Sequence, residues 1–243
     1  MERWAGRVAV VTGASVGIGA AICKELVKKG LKVIGLARRV EKIEELAKSL
    51  KSEKGQLYAC KCDVTKEEDI KKAFEWVKLN LGGADILINN AGFAKVESLI
   101  EGSAEGWRNM LDLNIYGLSL CTKEALQSMK EKGVDDGHII NINSVAGHIS
   151  PPVGAMAMYS ATKHAVTVLT EGLRKELVTR KSKIRVTSLS PGLVKTEMPS
   201  EEFLATNPYL EAENIAEACL YILGTPPNVQ VHELTIIPVG QLL

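Results

Sequence analysis

The chain has 243 residues, which is long enough for one large α/β domain and short for two. Lysine and arginine number 30 and aspartate and glutamate 29, so the net charge of +1 gives no reason to expect nucleic acid or an anionic membrane surface as a partner. No apolar stretch approaches the ~20 residues of a membrane-spanning helix, and residues 1–7 are too polar for a secretory signal. We therefore expect a cytoplasmic protein with no membrane span.

Five cysteines are scattered along the chain, and two of them, Cys60 and Cys62, form a C-x-C pair. An odd number without regular spacing argues against a disulfide framework. The pair suggests a metal site, but zinc takes about four ligands and the four histidines are far apart in the sequence. Reduced thiols in a cytoplasmic protein, with no metal, are the favoured interpretation.

Short β-branched runs alternate with longer amphipathic patterns along the chain. The runs predict strands over residues 7–12, 32–37, 56–61, 85–89, 137–143, 184–190 and 233–237. The amphipathic patterns predict helices over residues 17–29, 41–51, 66–80, 104–132, 157–180 and 212–223. Early runs such as VAVV and DILI are almost wholly apolar, as strands buried on both faces are. The alternation predicts one α/β domain over residues 1–243, with a doubly wound parallel sheet and right-handed crossovers.

A glycine-rich turn joins the first predicted strand to the first helix, as T-G-A-S-V-G-I-G over residues 12–19. Gly13, Gly17 and Gly19 allow a tight turn, which brings backbone N–H groups and a helix dipole close to a pyrophosphate. An ordinary glycine-rich loop is the alternative, but the position at the first βα junction favours dinucleotide binding.

The end of the second predicted strand indicates which dinucleotide is bound. NAD-binding proteins usually place an acidic residue there, whereas this chain has Arg38 and Arg39 and no carboxylate before Glu41. Two guanidinium groups suit a 2′-phosphate, which they can hold with charge-assisted, bidentate hydrogen bonds. A solvated basic helix start is the alternative, although basic charge opposes the helix dipole there. The pair therefore favours NADP.

Three residues suggest a catalytic group. Tyr159 and Lys163 form a Y-x-x-x-K pair within a predicted helix, and Ser144 ends a predicted strand. Positions i and i+4 share one helix face, and parallel sheets present active-site residues at the carboxyl ends of their strands. A neighbouring ammonium should lower the pKa of the tyrosine, whose ordinary value of ~10 makes it a poor base. Because the serine hydroxyl can hold a substrate oxygen, the three residues predict a proton relay at a carbonyl group.

These motifs, taken in order, resemble the short-chain dehydrogenase/reductase family over almost the whole chain. The matching segments are the glycine turn, Asn89-Asn90-Ala91-Gly92, Ser144, the Tyr159 and Lys163 pair, and Pro191-Gly192. The resemblance implies a seven-stranded Rossmann fold with strand order 3-2-1-4-5-6-7. It implies Tyr159 as the general acid/base and Ser144 as the residue that orients the substrate. Lys163 would modulate the tyrosine pKa and bind the nicotinamide ribose, and Asn114 would hold a water behind it.

The same resemblance implies a set of NADP contacts along the strand ends. Asp63 and Val64 would lie beside the adenine, Asn90 beside the adenine-side ribose, and Val194 and Thr196 beside the nicotinamide half. The full set is Gly13, Ser15, Val16, Gly17, Ile18, Gly19, Arg38, Arg39, Asp63, Val64, Asn90, Ala91, Gly92, Tyr159, Lys163, Pro191, Gly192, Val194 and Thr196. Many NADP-preferring members carry a basic residue at the position of Val16, so specificity here would rest on Arg38 and Arg39.

The stretches MERW, HIININS, YSATKHAVT and SMKEKGVDDGHI resemble one subgroup of the family. It holds the insect NADP-dependent farnesol dehydrogenases and a vertebrate ketosteroid and carbonyl reductase, family member eleven, whose substrates are apolar alcohols and ketones. Apolar residues around the predicted site agree with this: Ile149, Pro151, Pro152, Val153, Met156, Met158, Leu193, Met198, Phe203 and Leu204. Adaptable methionines suit a bulky apolar ligand, although ordinary loop packing explains any one position equally well. The expected substrate contacts are Ser144, Tyr159, Met156, Leu193 and Phe203.

Residues 196–211 form the least regular segment, between the sixth strand and the last helix. Met198, Phe203 and Leu204 have no obvious place in the sheet and helix layers, and acidic residues surround them. We predict a short helix here that acts as a mobile lid over an apolar substrate.

The resulting hypothesis is an NADP(H)-dependent oxidoreductase that acts on apolar alcohols and ketones. The rival is a cofactor-binding scaffold or redox sensor without turnover, and the presence of all four catalytic residues argues against it. A homo-oligomer, dimer or tetramer, is also expected, because the helices over residues 104–132 and 157–180 carry apolar residues around much of their circumference. Those residues are Leu118, Leu120, Leu126, Val166, Val168 and Leu169. The family pairs these helices across a two-fold axis.

Overall fold

The sheet has the strand order that the family resemblance implies. The computed structural model of the chain describes residues 1–149 and 154–242. The strands are β1 (Val8–Thr12), β2 (Lys32–Ala37), β3 (Gln56–Lys61), β4 (Ile86–Asn89), β5 (His138–Ile142), β6 (Arg185–Pro191) and β7 (Glu233–Ile236). All pairs are parallel, in the order β3-β2-β1-β4-β5-β6-β7. The order reverses beside β1, so the carboxyl ends of β1 and β4 border the crevice where such sheets bind ligands.

Helices cover both faces of this sheet, which confirms the predicted doubly wound Rossmann fold. The main helices are α1 (Gly17–Lys28), α2 (Val40–Ser49), α3 (Glu67–Leu81), α4 (Ala104–Leu111), α5 (Leu118–Lys132), α6 (Ala157–Thr179), α7 (Glu201–Thr206) and α8 (Ala212–Gly224). Short 3-10 turns occur at Glu2–Trp4, Val145–Gly147 and Gly154–Met156. Among the described residues, no helix is long and apolar enough to cross a lipid bilayer.

Two apolar layers hold the helices against the sheet. Successive strand residues point to opposite faces, so Ala9 and Val11 of β1 pack in one layer and Val8 and Val10 in the other. The first layer includes residues of α1, α2 and α8. The second includes residues of α3, α5 and α6. Burial on both faces explains why β1 is a continuous apolar run rather than an alternating one.

One predicted helix differs from the structure. The sequence predicts a single helix over residues 104–132, whereas a π-helical turn at Asp112–Gly117 separates α4 from α5. Gly117 allows the close approach of this turn to the end of β3, because a Cβ atom there would collide with the carbonyl oxygen of Val64. A π-helical turn contains one residue more than an α-helical turn, and hydrophobic periodicity in the sequence does not detect this difference. Such turns often occur at functional sites. This turn contains Asn114.

The apolar faces of α5 and α6 are more internal than the sequence suggests. Leu118 and Val166 are buried within the chain, and Leu120 and Leu126 pack partly against its core. Leu118 and Val166 therefore do not point to a partner, because the helices bury them against the rest of the same chain. Val168 and Leu169 of α6 remain 71% and 38% exposed.

The C-x-C pair is part of β3 and the turn after it. Burial raises the pKa of both thiols, that of Cys62 to about 12, so neither is a ready thiolate ligand. All five cysteines are unpaired thiols in the structure. Within residues 1–149 and 154–242, no group of three or more histidine, cysteine or acidic residues is arranged to hold a metal ion.

Candidate active site

The predicted site residues gather at the carboxyl ends of four strands. The glycine turn follows β1, Asn90 to Gly92 follow β4, Ser144 follows β5, and Pro191 is the last residue of β6. β1, β4, β5 and β6 lie side by side in the sheet, and β2, which Arg38 and Arg39 follow, pairs with the other side of β1. The fold therefore brings the catalytic and cofactor residues of the sequence analysis to one edge of the sheet.

The glycine turn has the conformation that a phosphate-binding loop needs. Gly13 and Gly17 have positive φ angles of 66° and 56°. Glycine adopts such angles readily, whereas a residue with a Cβ atom would be strained. A Cβ atom at Gly19 would collide with the carbonyl oxygen of Gly13. Helix α1 begins after Val16 with no side-chain cap and no acidic residue in its first turn. Its first backbone N–H groups are therefore available to an anion such as a pyrophosphate.

Thr12 and Asn90 fasten the glycine turn to the end of β4. The Thr12 hydroxyl oxygen accepts hydrogen bonds from the backbone N–H groups of Asn90 and Ala91, at 3.0 and 2.9 Å. The Asn90 side-chain nitrogen donates to the carbonyl oxygens of Thr12 and Gly13, at 2.9 and 3.1 Å. Asn90 therefore stabilises the turn. The sequence analysis predicted a ribose contact for Asn90 but did not predict this structural role.

Arg38 and Arg39 lie exposed at the end of β2. Partial burial opposes the charged form of the nearby Asp63, but hydrogen bonds from Thr65 and the charge of Arg38 outweigh it and lower the pKa of that carboxyl. Arg39 instead pairs with Glu197, with 2.7 Å between Nη2 and Oε2. Arg38 therefore lies near Asp63, as Arg39 lies near Glu197, and the adenine-side contacts that the family resemblance implies for Arg38, Arg39 and Asp63 stay a prediction.

Tyr159, Lys163 and Ser144 meet at the other end of the crevice. Tyr159 and Lys163 are one turn apart in α6 and buried, with 5.9 Å between Nζ and the centre of the tyrosine ring. Lys163 donates from Nζ to the carbonyl oxygen of Ile142, at 2.9 Å. Ser144 begins the turn Val145–Gly147, and its hydroxyl neighbours the Tyr159 phenol. The structure thus brings the three residues together, and their role as a proton relay stays a prediction.

The pKa shifts at this centre differ from the sequence expectation. Burial raises the pKa of Tyr159, and the Ser144 hydroxyl offsets only part of the rise. Burial lowers the pKa of Lys163 to about 8. Loss of solvation therefore sets the direction of both shifts, so the net pKa of Tyr159 is raised and not lowered as the sequence predicts.

Asn114 closes the back of the site. Its Oδ1 accepts from the backbone N–H of Phe93 at 2.8 Å, and its Nδ2 donates to the Phe93 carbonyl oxygen at 2.9 Å. A Cβ atom at Gly92 would lie 3.7 Å from Asn114 Oδ1 and 3.9 Å from Lys163 Nζ. Gly92 therefore lies beside both the amide and the ammonium, and the water that the resemblance implies there stays a prediction.

Thr162 is a site residue that the sequence analysis missed. It is fully buried between Tyr159 and Lys163 in α6. Its Oγ1 accepts from Asn114 Nδ2 at 2.9 Å and donates to the carbonyl oxygen of Tyr159 at 2.7 Å. The sequence did contain a signal for this role, because Thr162 is a hydroxyl residue inside the Y-x-x-x-K motif. It lies on a helix that buries Tyr159, Thr162 and Lys163.

The chain after β6 returns to the glycine turn. A Cβ atom at Gly17 would lie 3.1 Å from the methyl carbon of Thr196, which puts this predicted cofactor residue against the turn. The N–H of Leu193 donates to Oε1 of Gln241 at 3.0 Å, and the same side chain fills the space beside Gly192. Gln241 was also missed, because its contact spans 48 residues and belongs to no motif.

Several apolar side chains pack in the cluster that includes Tyr159. Met156 and Met158 pack with Ala94 and Trp107 against a small cluster that includes Tyr159. Met156 and Met158 were predicted here, whereas the sequence analysis did not identify Ala94 or Trp107. Leu193, two residues after β6, and Ile149, in the segment after β5, are half-buried. The predicted positions Pro151, Pro152 and Val153 lie outside the described residues.

The segment 196–211 contains the predicted short helix, α7. Its first turn is capped by Ser200, whose Oγ accepts from the Phe203 N–H at 3.2 Å. The ends of the segment are joined at its base, where the Lys195 N–H donates to the carbonyl of Leu210 at 2.9 Å. Met198 and Phe203 are 50% and 47% exposed. Closure over a substrate stays a prediction.

Comparison with known proteins defines the class. Residues 7–206 match the family model for short chain dehydrogenases. The chain therefore belongs to the short-chain dehydrogenase family.

Two groups of relatives cover nearly the whole chain. It is 54% identical over 245 residues to a farnesol dehydrogenase of Aedes aegypti, covering 99% of each chain. It is 50% identical over 254 residues to dehydrogenase/reductase SDR family member 11 of Mus musculus, covering 100% of this chain and 98% of the relative. Among solved structures, the closed form of a serine dehydrogenase complexed with NADP+ superposes with a TM-score of 0.88 at 33% identity, covering 97% of this chain and 96% of that one.

Proposed function

We propose that the protein is an NADP(H)-dependent oxidoreductase that interconverts hydroxyl and carbonyl groups of apolar substrates such as farnesol or ketosteroids. The observation that carries the proposal is the meeting of Tyr159, Lys163 and Ser144 at the edge of the sheet that also holds the glycine turn. The relative named farnesol dehydrogenase supports an apolar alcohol as substrate.

Bound NADP(H) would supply or accept the hydride. In the reducing direction, Tyr159 donates its phenolic proton to the substrate oxygen, and its raised pKa keeps that proton in place at neutral pH. The Ser144 hydroxyl holds the same oxygen beside the phenol. Lys163, with a pKa of about 8, still carries its charge on most molecules at pH 7. This charge favours transfer of the proton, because it stabilises the phenolate that remains.

The choice of NADP(H) is supported by the charge at the end of β2. Arg38 and Arg39 are the first two residues after the strand, and a phosphate can accept bidentate hydrogen bonds from each. Solved relatives named as complexes with NADP+ and 5-hydroxy-NADP agree with this choice. The uncapped start of α1 fits the pyrophosphate that the two nucleotide halves share.

An apolar substrate is supported by the side chains around Tyr159. Met156, Met158 and Ala94 pack against the small apolar cluster that includes Tyr159, and methionines adapt to irregular apolar shapes. Segment 196–211 would add Met198, Leu204 and Phe203 of α7 from the opposite side.

The direct test is an activity screen of the purified protein. Farnesol, a ketosteroid and a small dicarbonyl are each assayed with NADP(H) and NAD(H), beside the Tyr159→Phe variant. We expect turnover with NADP(H) that the variant loses. If NADPH binds but no substrate turns over in either direction, the non-catalytic scaffold is the better function.

We also propose that the protein is a cytoplasmic homo-oligomer. Val168, Leu169 and Val178 expose apolar side chains on α6, at 71%, 38% and 62%, and exposed apolar side chains on a helix favour burial against a partner. The five thiols fit a reducing compartment. Hydrodynamic sizing at micromolar concentration should give a dimer or tetramer, and a 26.3 kDa monomer would contradict it.

A further inference from the structure

Arg39 has an acidic partner from a distant part of the chain. Its Nη1 and Nη2 both donate to the Glu197 carboxylate, at 3.4 and 2.7 Å. The two residues are 158 positions apart in the sequence. The pair therefore links the end of β2 to the segment that leads into α7.

The backbone that leads into Glu197 is held by two contacts. Thr196, immediately before it, lies against Gly17 of the glycine turn. Just upstream, Val194 forms a bridge with Leu210 that closes the base of segment 196–211. Glu197 lies close enough to Arg39 and Lys42 for both charges to act on its carboxylate. Glu197 therefore adds a negative charge beside the arginines that would bind a 2′-phosphate.

A guanidinium has a limited number of N–H donors in a fixed fork. With Nη1 and Nη2 directed to Glu197, an end-on bidentate bond from these two groups to a second anion requires the carboxylate to move away, and only the Nε side of the guanidinium remains for binding without this movement. A phosphate that bound without this movement would lie near a like charge, which is unfavourable. Arg38 differs, because its acidic neighbour is Asp63 on the adenine side.

We infer that Glu197 is a specificity-determining residue that competes with the 2′-phosphate for Arg39. This inference rests on the proposed use of NADP(H). Glu197 lowers the affinity for the 2′-phosphorylated nucleotide and leaves the affinity for the unphosphorylated one unchanged, so it sets how strongly the crevice prefers NADP(H).

Binding of two nucleotide fragments tests the inference without turnover. Adenosine 2′,5′-bisphosphate and adenosine 5′-monophosphate differ only in the 2′-phosphate, and calorimetry at one fixed ionic strength gives both affinities. Because exposed ion pairs are weak, Glu197→Gln should tighten binding of the bisphosphate by about two- to fivefold. Binding of the monophosphate should not change.

The matched control is Glu45→Gln on α2. It makes the same charge change on an exposed residue, and no ion pair to Glu45 occurs within residues 1–149 and 154–242. It should leave both affinities unchanged. Equal tightening by the two variants would overturn the inference, since net charge would then explain the effect. Unchanged or weaker bisphosphate binding in Glu197→Gln would also overturn it.

A double-mutant cycle separates this inference from the proposed function. Glu197→Gln should have no effect on bisphosphate binding when Arg39 is already alanine, because the two changes act on one contact. If the double variant Arg38→Ala and Arg39→Ala binds the bisphosphate as tightly as the wild type, the proposal that these arginines bind the 2′-phosphate is wrong. If that double variant weakens binding at least tenfold but Glu197→Gln has no effect, only the role of Glu197 is wrong.

Discussion

Asn114 donates a hydrogen bond from Nδ2 to the hydroxyl oxygen of Thr162, at 2.9 Å. Asn114 lies in the π turn and Thr162 lies between Tyr159 and Lys163 in α6, so this bond joins the two helical segments that form the catalytic group. Thr162 in turn donates to the backbone oxygen of Tyr159. The position of the amide and that of the phenol are therefore coupled through one buried hydroxyl.

Thr162→Val should lower kcat and leave NADPH binding nearly unchanged, because valine keeps the shape and removes the bond to Asn114. Loss of a partner at a buried site costs about 1–3 kcal/mol of unfolding free energy. Thr162→Ser keeps the hydroxyl and should restore most of kcat. If valine and serine variants have the same kcat, Thr162 acts only through packing and does not position Asn114.

Tyr159→Phe should abolish turnover while NADPH binding stays intact, since the ring remains and only the proton donor is lost. General acid–base groups are typically worth ~10²–10⁴-fold in rate. Steady-state kinetics give the loss, and NADPH fluorescence gives the binding. Tyr221→Phe, on the exposed surface of α8, is the matched control and should be fully active. A Tyr159→Phe enzyme with more than about a tenth of wild-type kcat would be too active for a lost general acid.

Lys163 should make the stability of the fold depend on pH. Burial lowers its pKa from 10.5 to about 8. Between these values the unfolded chain binds a proton that the folded chain does not, so the lysine's contribution to the unfolding free energy increases with pH. The full shift corresponds to at most about 3 kcal/mol.

Denaturant unfolding of the wild type and Lys163→Met measures this contribution. The wild type should gain stability relative to the variant from pH 7.5 to 10, whereas the exposed control Lys51→Met should show no such trend. A difference between wild type and Lys163→Met that stays constant over this range would mean that the lysine keeps its ordinary pKa in the folded protein.

The fold and most of the site could be predicted because their signals are local. The run VAVV indicates a strand buried on both faces, and Tyr159 and Lys163 share a helix face by spacing alone. Thr162 and Gln241 could not be found this way, because their roles come from contacts between distant segments. The raised pKa of Tyr159 was also missed, since sequence shows a neighbouring ammonium but not the loss of solvation that outweighs it.

Phe203 in α7 should contribute to the binding of large substrates. Its side chain is 47% exposed, and burial of such a side chain is worth ~1.5–3 kcal/mol. Phe203→Ala should therefore raise KM for a long isoprenoid or a steroid by roughly tenfold or more, with little change for a small dicarbonyl that does not reach the helix. Amide exchange supplies a second measurement, because residues 196–211 should exchange rapidly alone and more slowly with cofactor and substrate analogue bound.

The control for Phe203→Ala is Leu79→Ala, which removes an apolar side chain that is 76% exposed on α3. Because α3 packs against the face of the sheet rather than its carboxyl edge, this variant should keep the wild-type KM for both substrate sizes. The size dependence is the decisive feature, since a general disturbance of the fold would act on every substrate. If Phe203→Ala raises KM equally for the isoprenoid and the dicarbonyl, α7 does not form a wall of the substrate pocket.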